Sequence, residues 1–300
     1  METVLTIVGK PGASDLSADC VRDVRQALKS AGAEIGEANW LAPQTACDIG
    51  FEGINHGDAE QAAIDALKDA PLDILAQPAV SRAKKLLVAD MDSTMIAQEC
   101  LDELSDFAGK RTEVEAITER AMAGELDFEA ALMERVGMLK GLSESALEET
   151  YQSRIDLMPG ALELVRTMSA NGALCILVSG GFTCFTAQVA KAIGFAEHRG
   201  NELIIKDGAL TGEVGLPILG RDAKRTALEA ARRRLGLSIE ETLAIGDGAN
   251  DLDMIQHAGL GVAYHAKPIV AKAARARVAH GDLRTVLYFQ GYAQSAFRTD

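Results

Sequence analysis

The stretch Leu86-Leu87-Val88-Ala89-Asp90-Met91-Asp92-Ser93-Thr94-Met95-Ile96 decides the fold, because an apolar run ends there at two carboxylates one residue apart. An apolar run of this length predicts a strand that is buried on both faces, as in a parallel sheet. Side chains alternate along a strand, so Asp90 and Asp92 lie on the same side. Ligands of open parallel sheets bind beyond the carboxyl ends of the strands, so the pair is expected to face a cleft. Considered alone, however, two such acids are more typical of a solvated strand end with helix-capping side chains.

The composition narrows the class of protein. The chain has 300 residues, which is long enough for one large or two modest domains with a sizeable core. Its net charge of −14 argues against a nucleic-acid partner, because no basic patch is available to neutralise phosphates. The five cysteines are scattered and include no CxxC pair, which argues against disulfides and structural zinc and favours a cytoplasmic location. We find no signal-peptide pattern and no apolar run of about 18 residues, so we expect neither export nor a membrane span.

Residues 1–78 predict a small α+β domain with the element order βαββαβ. Strands and helices are expected in turn at Thr3–Val8, Ser17–Ala31, Ala33–Ala42, Ala46–Ile54, Asp58–Lys68 and Leu72–Ala76. This order and size resemble the ACT family of ferredoxin-like domains. The resemblance implies a site for an amino-acid effector and the pairing of two chains into a homodimer. A purely structural dimerisation module is an equally good interpretation.

The stretch from residue 98 to about 155 predicts a helical insertion directly after the Asp90–Asp92 strand. It contains no proline, and its apolar residues recur at intervals of three and four. In the helix that begins near Asp127, Phe128, Leu132 and Arg135 fall on one stripe. An arginine on an apolar stripe is either ion-paired or extended to solvent, or it faces a ligand.

The remaining residues predict a doubly wound parallel α/β core, because strands and helices alternate. Further elements are expected at Ala161–Ala170, Ala173–Val178, Glu202–Lys206, Leu210–Gly215, Asp222–Leu235, Thr242–Ile245 and Leu260–Ala263, with the last strand and its neighbours at Val278-Ala279 and Leu283–Leu287. Asp207-Gly208 predicts a hairpin turn. Lys224 lies in the first turn of its helix, where a cation opposes the helix macrodipole. Its position therefore indicates a role other than helix stability.

Three of these buried strands end in polar or glycine-rich residues, namely Asp90–Thr94, Ser179–Phe182 and Gly246–Asp251. Parallel strands bring their carboxyl ends to one edge of the sheet, so the three clusters should meet. Carboxylates that converge raise each other's pKa unless a cation neutralises them. Oxygen ligands without His or Cys favour Mg²⁺, and the glycines allow backbone N–H groups to approach an anion.

These three clusters and Lys224 resemble, in order and spacing, the four motifs of the haloacid dehalogenase-like phosphatases. Over residues 86–287 the resemblance is closest to the phosphoserine phosphatase branch of that family. It implies an ACT-like domain at residues 1–78 and a Rossmann-like phosphatase domain at residues 79–300, with a helical cap at about 98–155. It also implies Mg²⁺-dependent hydrolysis of O-phosphoserine, the last step of serine biosynthesis, through an aspartyl-phosphate.

The resemblance implies a role for each strand-end carboxylate. Asp90 would be the nucleophile, and Asp92 would act first as the acid and then as the base. Asp90, Asp247 and the main-chain carbonyl of Asp92 would hold Mg²⁺, while Asp251 would fix these ligands or their waters. Asn250 belongs to the same motif and is expected to contact the substrate.

The remaining implied roles concern the substrate. Ser179, the Gly180 N–H and Lys224 would bind the phosphoryl oxygens. Glu99, nine residues after Asp90, stands where the family's glutamate meets the substrate ammonium. Arg135 stands where a cap arginine meets the substrate carboxylate.

Met122 and Phe128 would form apolar walls beside these charges. Two other functions remain open at this point. The phosphoryl group could be transferred to an alcohol acceptor such as homoserine, or the chain could be an amino-acid-binding regulator with a silent phosphatase domain. The presence of every catalytic residue type disfavours the regulator.

Overall fold

The computed structural model of the protein describes residues 1–68, 70–122, 125–220 and 222–299. Of Met122 it describes the backbone only, so the expectation that its side chain forms an apolar wall lies outside the described part of the chain. None of the described helices combines the length and the apolar character that crossing a membrane requires.

The N-terminal segment forms a four-stranded antiparallel sheet with two helices on one face. Its elements are β1 (Thr3–Gly9), α1 (Ala18–Ser30), β2 (Glu34–Ala42), β3 (Ala46–Glu52), α2 (His56–Leu67) and β4 (Leu72–Pro78). The strand order is β2-β3-β1-β4, so the predicted βαββαβ order and ferredoxin-like fold are confirmed. Helix α1 begins where the sequence predicts, because the Ser17 hydroxyl accepts a hydrogen bond from the Cys20 amide at 3.1 Å.

The two faces of this sheet bury different partners. Leu5 and Ile7 pack under the two helices in the core of the N-terminal domain. Val8 and Leu75, in contrast, belong to the large core that continues into the rest of the molecule. Since neighbouring residues of a strand point to opposite faces, the N-terminal sheet is covered on both sides. Apolar burial therefore joins it firmly to the second domain.

The second domain is built on a six-stranded parallel sheet of order β12-β11-β10-β5-β6-β7. Its strands are β5 (Leu86–Ala89), β6 (Leu174–Phe182), β7 (Glu197–Asn201), β10 (Thr242–Gly246), β11 (Leu260–Tyr264) and β12 (Ala276–Val278). The helices of this core are α7 (Ala161–Ala170), α8 (Thr183–Ile193), α9 (Ala223–Leu235), α10 (Leu252–His257), α11 (Pro268–Ala273) and α12 (Arg284–Phe289). The predicted Rossmann-like core is confirmed.

The predicted helical insertion follows β5 and forms a cap. It consists of α3 (Cys100–Phe107), α4 (Arg111–Met122), α5 (Phe128–Gly137) and α6 (Ser145–Arg154). A hairpin of β8 (Leu203–Lys206) and β9 (Ala209–Val214) supports the cap, and the Gly141 amide donates to the Leu210 carbonyl at 2.8 Å. The hairpin turn has positive φ at Asp207 and Gly208, as the sequence of this turn predicts.

The structure corrects one sequence expectation and adds one strand that was not expected. Leu283–Leu287, expected beside the last strand as a strand, belongs to helix α12. A short buried apolar run is compatible with either element, and periodicity alone does not separate them. Conversely, Glu197–Asn201 forms β7 although its sequence is polar. It lies at the edge of the sheet, where fewer side chains need to be apolar than in the central strands.

Candidate active site

The three strand-end clusters meet because their strands are neighbours. β5 pairs with β10 on one side and with β6 on the other, so Ala89 lies beside both Ile245 and Leu177. The residues that follow these three strands therefore emerge at one edge of the sheet. The expectation that they converge is confirmed by this pairing.

Lys224 lies between two of the carboxylates. Its Nζ is 2.7 Å from Asp90 Oδ1 and 2.6 Å from Asp251 Oδ1, and all three side chains are almost fully buried. Lys224 is therefore placed by α9 at the end of the sheet, where it neutralises charge that the sheet brings together. This arrangement accounts for a cation in the first turn of a helix, where the macrodipole disfavours it.

The buried charges shift each other's pKa. Burial raises the pKa of Asp90 well above its usual range, the Asp251 charge raises it further, and Lys224 opposes both effects. Burial alone would lower the pKa of Lys224, but the two carboxylates outweigh it and raise that pKa. Lys224 thus stays charged, while the negative charge of Asp90 depends on a nearby cation.

Three carboxylates of this cluster are close enough to share a metal ion. One oxygen each of Asp90, Asp247 and Asp251 lies within 4.8 Å of the other two. The donors are all hard carboxylate oxygens, a set that fits a divalent cation such as Mg²⁺. Gly246 is required for this packing, because an added Cβ there would lie 2.3 Å from the Asp251 carboxyl carbon. The residues present therefore fit a divalent metal.

Asp92 is held apart from these three acids by hydrogen bonds. Its Oδ2 accepts from the Ser179 hydroxyl at 3.0 Å, and its Oδ1 accepts from the Cys100 amide at 2.9 Å. The Ser179 hydroxyl in turn accepts from the Gly181 amide at 2.8 Å. This network fixes Asp92 between the end of β6 and the start of the cap.

The loop after β6 is supported by a residue that the sequence analysis missed. Asn201, at the end of β7, donates from Nδ2 to the Gly180 carbonyl at 2.8 Å and accepts from the Leu219 amide at 2.7 Å. An added Cβ at Gly180 would lie 3.2 Å from the ring of Phe128. Glycine at this position thus lets the cap pack directly on the loop. No sequence signal marked Asn201, because its strand is polar and its partners are distant in the chain.

A cavity of about 490 Å³ lies between the strand ends and the cap. It is lined by most of the sequence-predicted site residues, namely Asp90, Asp92, Glu99, Phe128, Arg135, Ser179, Gly180, Asp247 and Asn250. Lys224 lines an adjoining cavity of about 230 Å³ together with Ser179, Gly180 and Asn250, and it contacts both Asp90 and the buried Asp251. The structure therefore brings the predicted residues together in one place, apart from the undescribed side chain of Met122.

Glu99 lies at the start of the cap, in a setting that disfavours its charge. Its Oε1 accepts from the Ser93 hydroxyl at 2.8 Å. The side chain of Glu99 keeps contact with solvent, but the protein atoms around its carboxyl group desolvate it and raise its pKa to about 7, and the nearby charge of Asp92 raises that pKa as well. A carboxylate in this condition gains from a cationic partner, which would lower its pKa again.

Arg135 lies on the cavity-facing side of α5. Its Nε donates to the Ala131 carbonyl at 3.2 Å. Desolvation lowers the pKa of Arg135, and the negative charges of Asp102 and Glu99 oppose this effect by raising it. Within the described ranges of the chain, the guanidinium of Arg135 makes no ion pair. Arg120, on the preceding helix of the cap, pairs instead with Glu134 at 2.8 Å. Arg135 is thus a half-buried cation whose guanidinium remains available for an anion.

The cavity also contains residues that were not expected from the sequence. Asp102 and Thr118 line it from the cap, and Lys267 lines it beside Asp247. Lys267 follows β11. Because the carboxyl ends of parallel strands meet at one edge of the sheet, the sequence could have placed this residue near the other three strand ends. Asp102 and Thr118 lie on helices whose cavity-facing side is not visible in the sequence pattern.

Comparison with known proteins shows which family this chain belongs to. The model of the haloacid dehalogenase-like hydrolases matches residues 87–256. The chain belongs to this family.

Particular relatives share one name. The chain is 45% identical over 208 residues to a phosphoserine phosphatase of Polaromonas sp., which covers 68% of this chain and 88% of that relative. It is 37% identical over 293 residues to a phosphoserine phosphatase of Streptomyces coelicolor, covering 96% of this chain and 70% of that relative. The crystal structure of a probable phosphoserine phosphatase from Vibrio cholerae superimposes with a TM-score of 0.78 at 32% identity, covering 98% of this chain and 88% of that one.

Proposed function

We propose that the protein hydrolyses O-phosphoserine to serine and phosphate with the help of Mg²⁺. The observation that supports this proposal is that one cavity is lined both by the strand-end residues Asp90, Asp92 and Ser179 and by the cap residues Glu99 and Arg135. Phosphoserine has a phosphate, an ammonium group and a carboxylate, and the cavity offers a complementary charge for each. The names of the relatives from Polaromonas and Streptomyces support the same substrate.

In the first step, the Asp90 carboxylate attacks phosphorus in line with the bond to the serine oxygen. A bond forms between Asp90 and phosphorus while the bond from phosphorus to the serine oxygen breaks. Asp92 gives its proton to that oxygen, so that serine leaves as a neutral alcohol. The hydrogen bonds from Ser179 and the Cys100 amide hold Asp92 in place for this transfer.

In the second step, Asp92 takes a proton from a water molecule as that water attacks the aspartyl-phosphate. The bond from phosphorus to Asp90 breaks, and both carboxyl groups return to their starting states. Lys224 and the backbone N–H groups around Gly180 balance the negative charge on the phosphoryl oxygens throughout. These residues therefore supply electrostatic stabilisation without changing their own covalent state.

Asp90, Asp247 and the main-chain carbonyl of Asp92 would hold Mg²⁺, with Asp251 fixing their arrangement. When bound, the ion supplies positive charge that neutralises the carboxylates and the phosphoryl oxygens. The close set of carboxylate oxygens at Asp90, Asp247 and Asp251 supports this role. The cap would select the substrate, with Glu99 meeting the ammonium and Arg135 the carboxylate.

A panel of phosphomonoesters, assayed for released phosphate with and without Mg²⁺, tests this function. We expect O-phosphoserine to be the preferred substrate and phosphate release to require the metal. Hydrolysis of aryl phosphates but not of phosphoserine would contradict the proposed substrate. Adding homoserine and analysing the products would detect phosphoryl transfer in place of hydrolysis. An amino-acid effector at the N-terminal sheet, a homodimer and a cytoplasmic location remain predictions.

A further inference from the structure

The N-terminal domain touches the catalytic edge of the large sheet through one buried carboxylate. Asp73, on β4, is only 3% exposed. It accepts hydrogen bonds from the amides of Ala279 and Gly281 at 2.8 Å each and from that of His280 at 3.2 Å. These three amides form the loop that follows β12, at the outer end of the six-stranded sheet.

The contact depends on a very close approach of the Asp73 carboxylate to the backbone of Gly281. An added Cβ at Gly281 would lie 3.1 Å from Asp73 Oδ2 and 2.1 Å from the Thr285 hydroxyl. A buried carboxylate without a cation is tolerable only when hydrogen bonds satisfy it, and here three successive N–H donors do so. Asp73 thus fixes the position of the loop after β12 from outside the catalytic domain.

The loop after β12 in turn holds the loop after β11. The Nε2 of His265 is 2.9 Å from the Gly281 carbonyl, and the His265 amide donates to the Val278 carbonyl at 2.9 Å. A carbonyl can only accept, so Nε2 carries the proton in this contact. His265 has a φ of 42°, a left-handed conformation that persists only where the surroundings impose it. The two contacts supply that constraint.

Two residues further on, the same loop reaches the catalytic cluster. The amide of Lys267 donates to the Asp247 carbonyl at 3.3 Å, and the Lys267 side chain lines the cavity with the Asp247 carboxylate. The ends of β12, β11 and β10 thus form a continuous row of contacts. Asp73 lies at one end of this row and the candidate metal ligand Asp247 at the other.

We propose that Asp73 is a positioning residue for the metal-binding cluster, acting through the loop after β12, His265 and Lys267. The N-terminal domain would then be part of the support of the active site, besides any effector it binds. The inference rests on the proposed function only in taking Asp247 as a metal ligand. It does not depend on which phosphomonoester is the substrate.

The test compares two substitutions on the same strand in the full chain. Asp73→Asn keeps the size of the side chain but replaces one acceptor oxygen with an amide donor that faces N–H groups. Gln77→Ala, the matched control, removes a different contact between the domains, the 2.6 Å hydrogen bond from Gln77 Nε2 to the Phe289 carbonyl. That contact touches α12 and none of the strand ends.

Mg²⁺ binding to each protein is measured by calorimetric titration, and thermal unfolding is recorded in parallel. We expect Asp73→Asn to raise the Mg²⁺ dissociation constant roughly 3- to 10-fold, which lies within the range for residues that couple to a site without touching its ligand. Gln77→Ala should leave that constant unchanged even where its melting temperature falls. The ratio of phosphoserine to phenyl phosphate turnover should stay the same in both variants, because neither touches the cap.

An unchanged Mg²⁺ constant in Asp73→Asn, or an equal rise in Gln77→Ala, would overturn the inference and show that Asp73 only joins the domains. If Asp73→Asn does not fold, His265→Ala breaks the same row of contacts within the catalytic domain and should raise the Mg²⁺ constant similarly. Failure of the proposed substrate would show instead as a wild-type protein that binds Mg²⁺ but releases no phosphate from phosphoserine.

Discussion

The charged side chains of the strand-end cluster (Asp90, Lys224 and Asp251) form ion pairs with one another, whereas those of the cap pair (Glu99 and Arg135) do not. In the strand-end cluster, Lys224 lies within 2.7 Å of both carboxylates and offsets part of their negative charge. In the cap pair, each charged side chain makes one hydrogen bond within the described part of the chain, and its partner is neutral, namely Ser93 for Glu99 and Ala131 for Arg135. The strand-end cluster is therefore held in place by its own ion pairs before the substrate binds. The cap pair, in contrast, is left to form its ion pairs with the substrate.

The largest effect is expected at the nucleophile. Asp90→Asn replaces the nucleophilic carboxylate with a neutral amide, so turnover of every phosphomonoester should fall by about 10⁴-fold or more. Trapping of radiolabelled phosphoenzyme with acid measures the step directly. Asp92→Asn, as the contrasting variant, should still form the phosphoenzyme but should slow its decay. Covalent labelling of Asp90→Asn at the wild-type level would show that the nucleophile is misassigned.

A smaller but still large effect is expected at the cation of the strand-end cluster. Lys224→Met leaves two buried carboxylates without their partner, so it should destabilise the metal-free protein by about 3–5 kcal/mol. Turnover should fall by about 10²- to 10³-fold, as when one donor to a transition-state charge is lost. Denaturant unfolding with and without Mg²⁺ measures the stability, and added Mg²⁺ should recover part of the loss. If Lys224→Met were as stable as the wild type without metal, the two acids would have to be neutral in the folded protein.

The smallest effect concerns the protonation of Glu99. Its pKa of about 7 means that the carboxyl is neutral at lower pH and cannot attract an ammonium group. Between about pH 6 and pH 8, the kcat/KM for phosphoserine relative to phenyl phosphate should therefore rise, roughly 10-fold in all. Glu99→Gln should abolish this rise while leaving the profile for phenyl phosphate in place. A ratio that is flat with pH in the wild type would remove Glu99 from substrate recognition.

The sequence was enough to predict that the three strand-end motifs meet. Parallel strands end at one edge of the sheet, and each motif directly follows a strand that the sequence predicts. Lys224 was marked by an unfavourable helix position. Arg135 and Glu99 were marked by a stripe and by a family resemblance, and the structure places both side chains in the cavity. In each case the signal lies within one element of the chain.

What the sequence did not predict depends on partners that are far apart along the chain. Asn201 supports Gly180 from a polar edge strand, and Asp73 reaches Gly281 from the other domain. Neither contact leaves a periodic pattern in either segment. The strand predicted at Leu283–Leu287 was wrong for a related reason, since burial makes the whole run apolar and removes the period that separates helix from strand.

The most direct test of the division between the strand-end cluster and the cap pair compares phosphoserine with phosphoethanolamine, which lacks the carboxylate. We expect Arg135→Ala to lower kcat/KM for phosphoserine roughly 10- to 100-fold, the usual loss for a charge-assisted hydrogen bond, and to leave phosphoethanolamine unchanged. Arg120→Ala, which removes a cap arginine already paired with Glu134, should change neither value. An equal loss of kcat/KM on both substrates in Arg135→Ala would contradict the assignment and make Arg135 a structural residue of the cap.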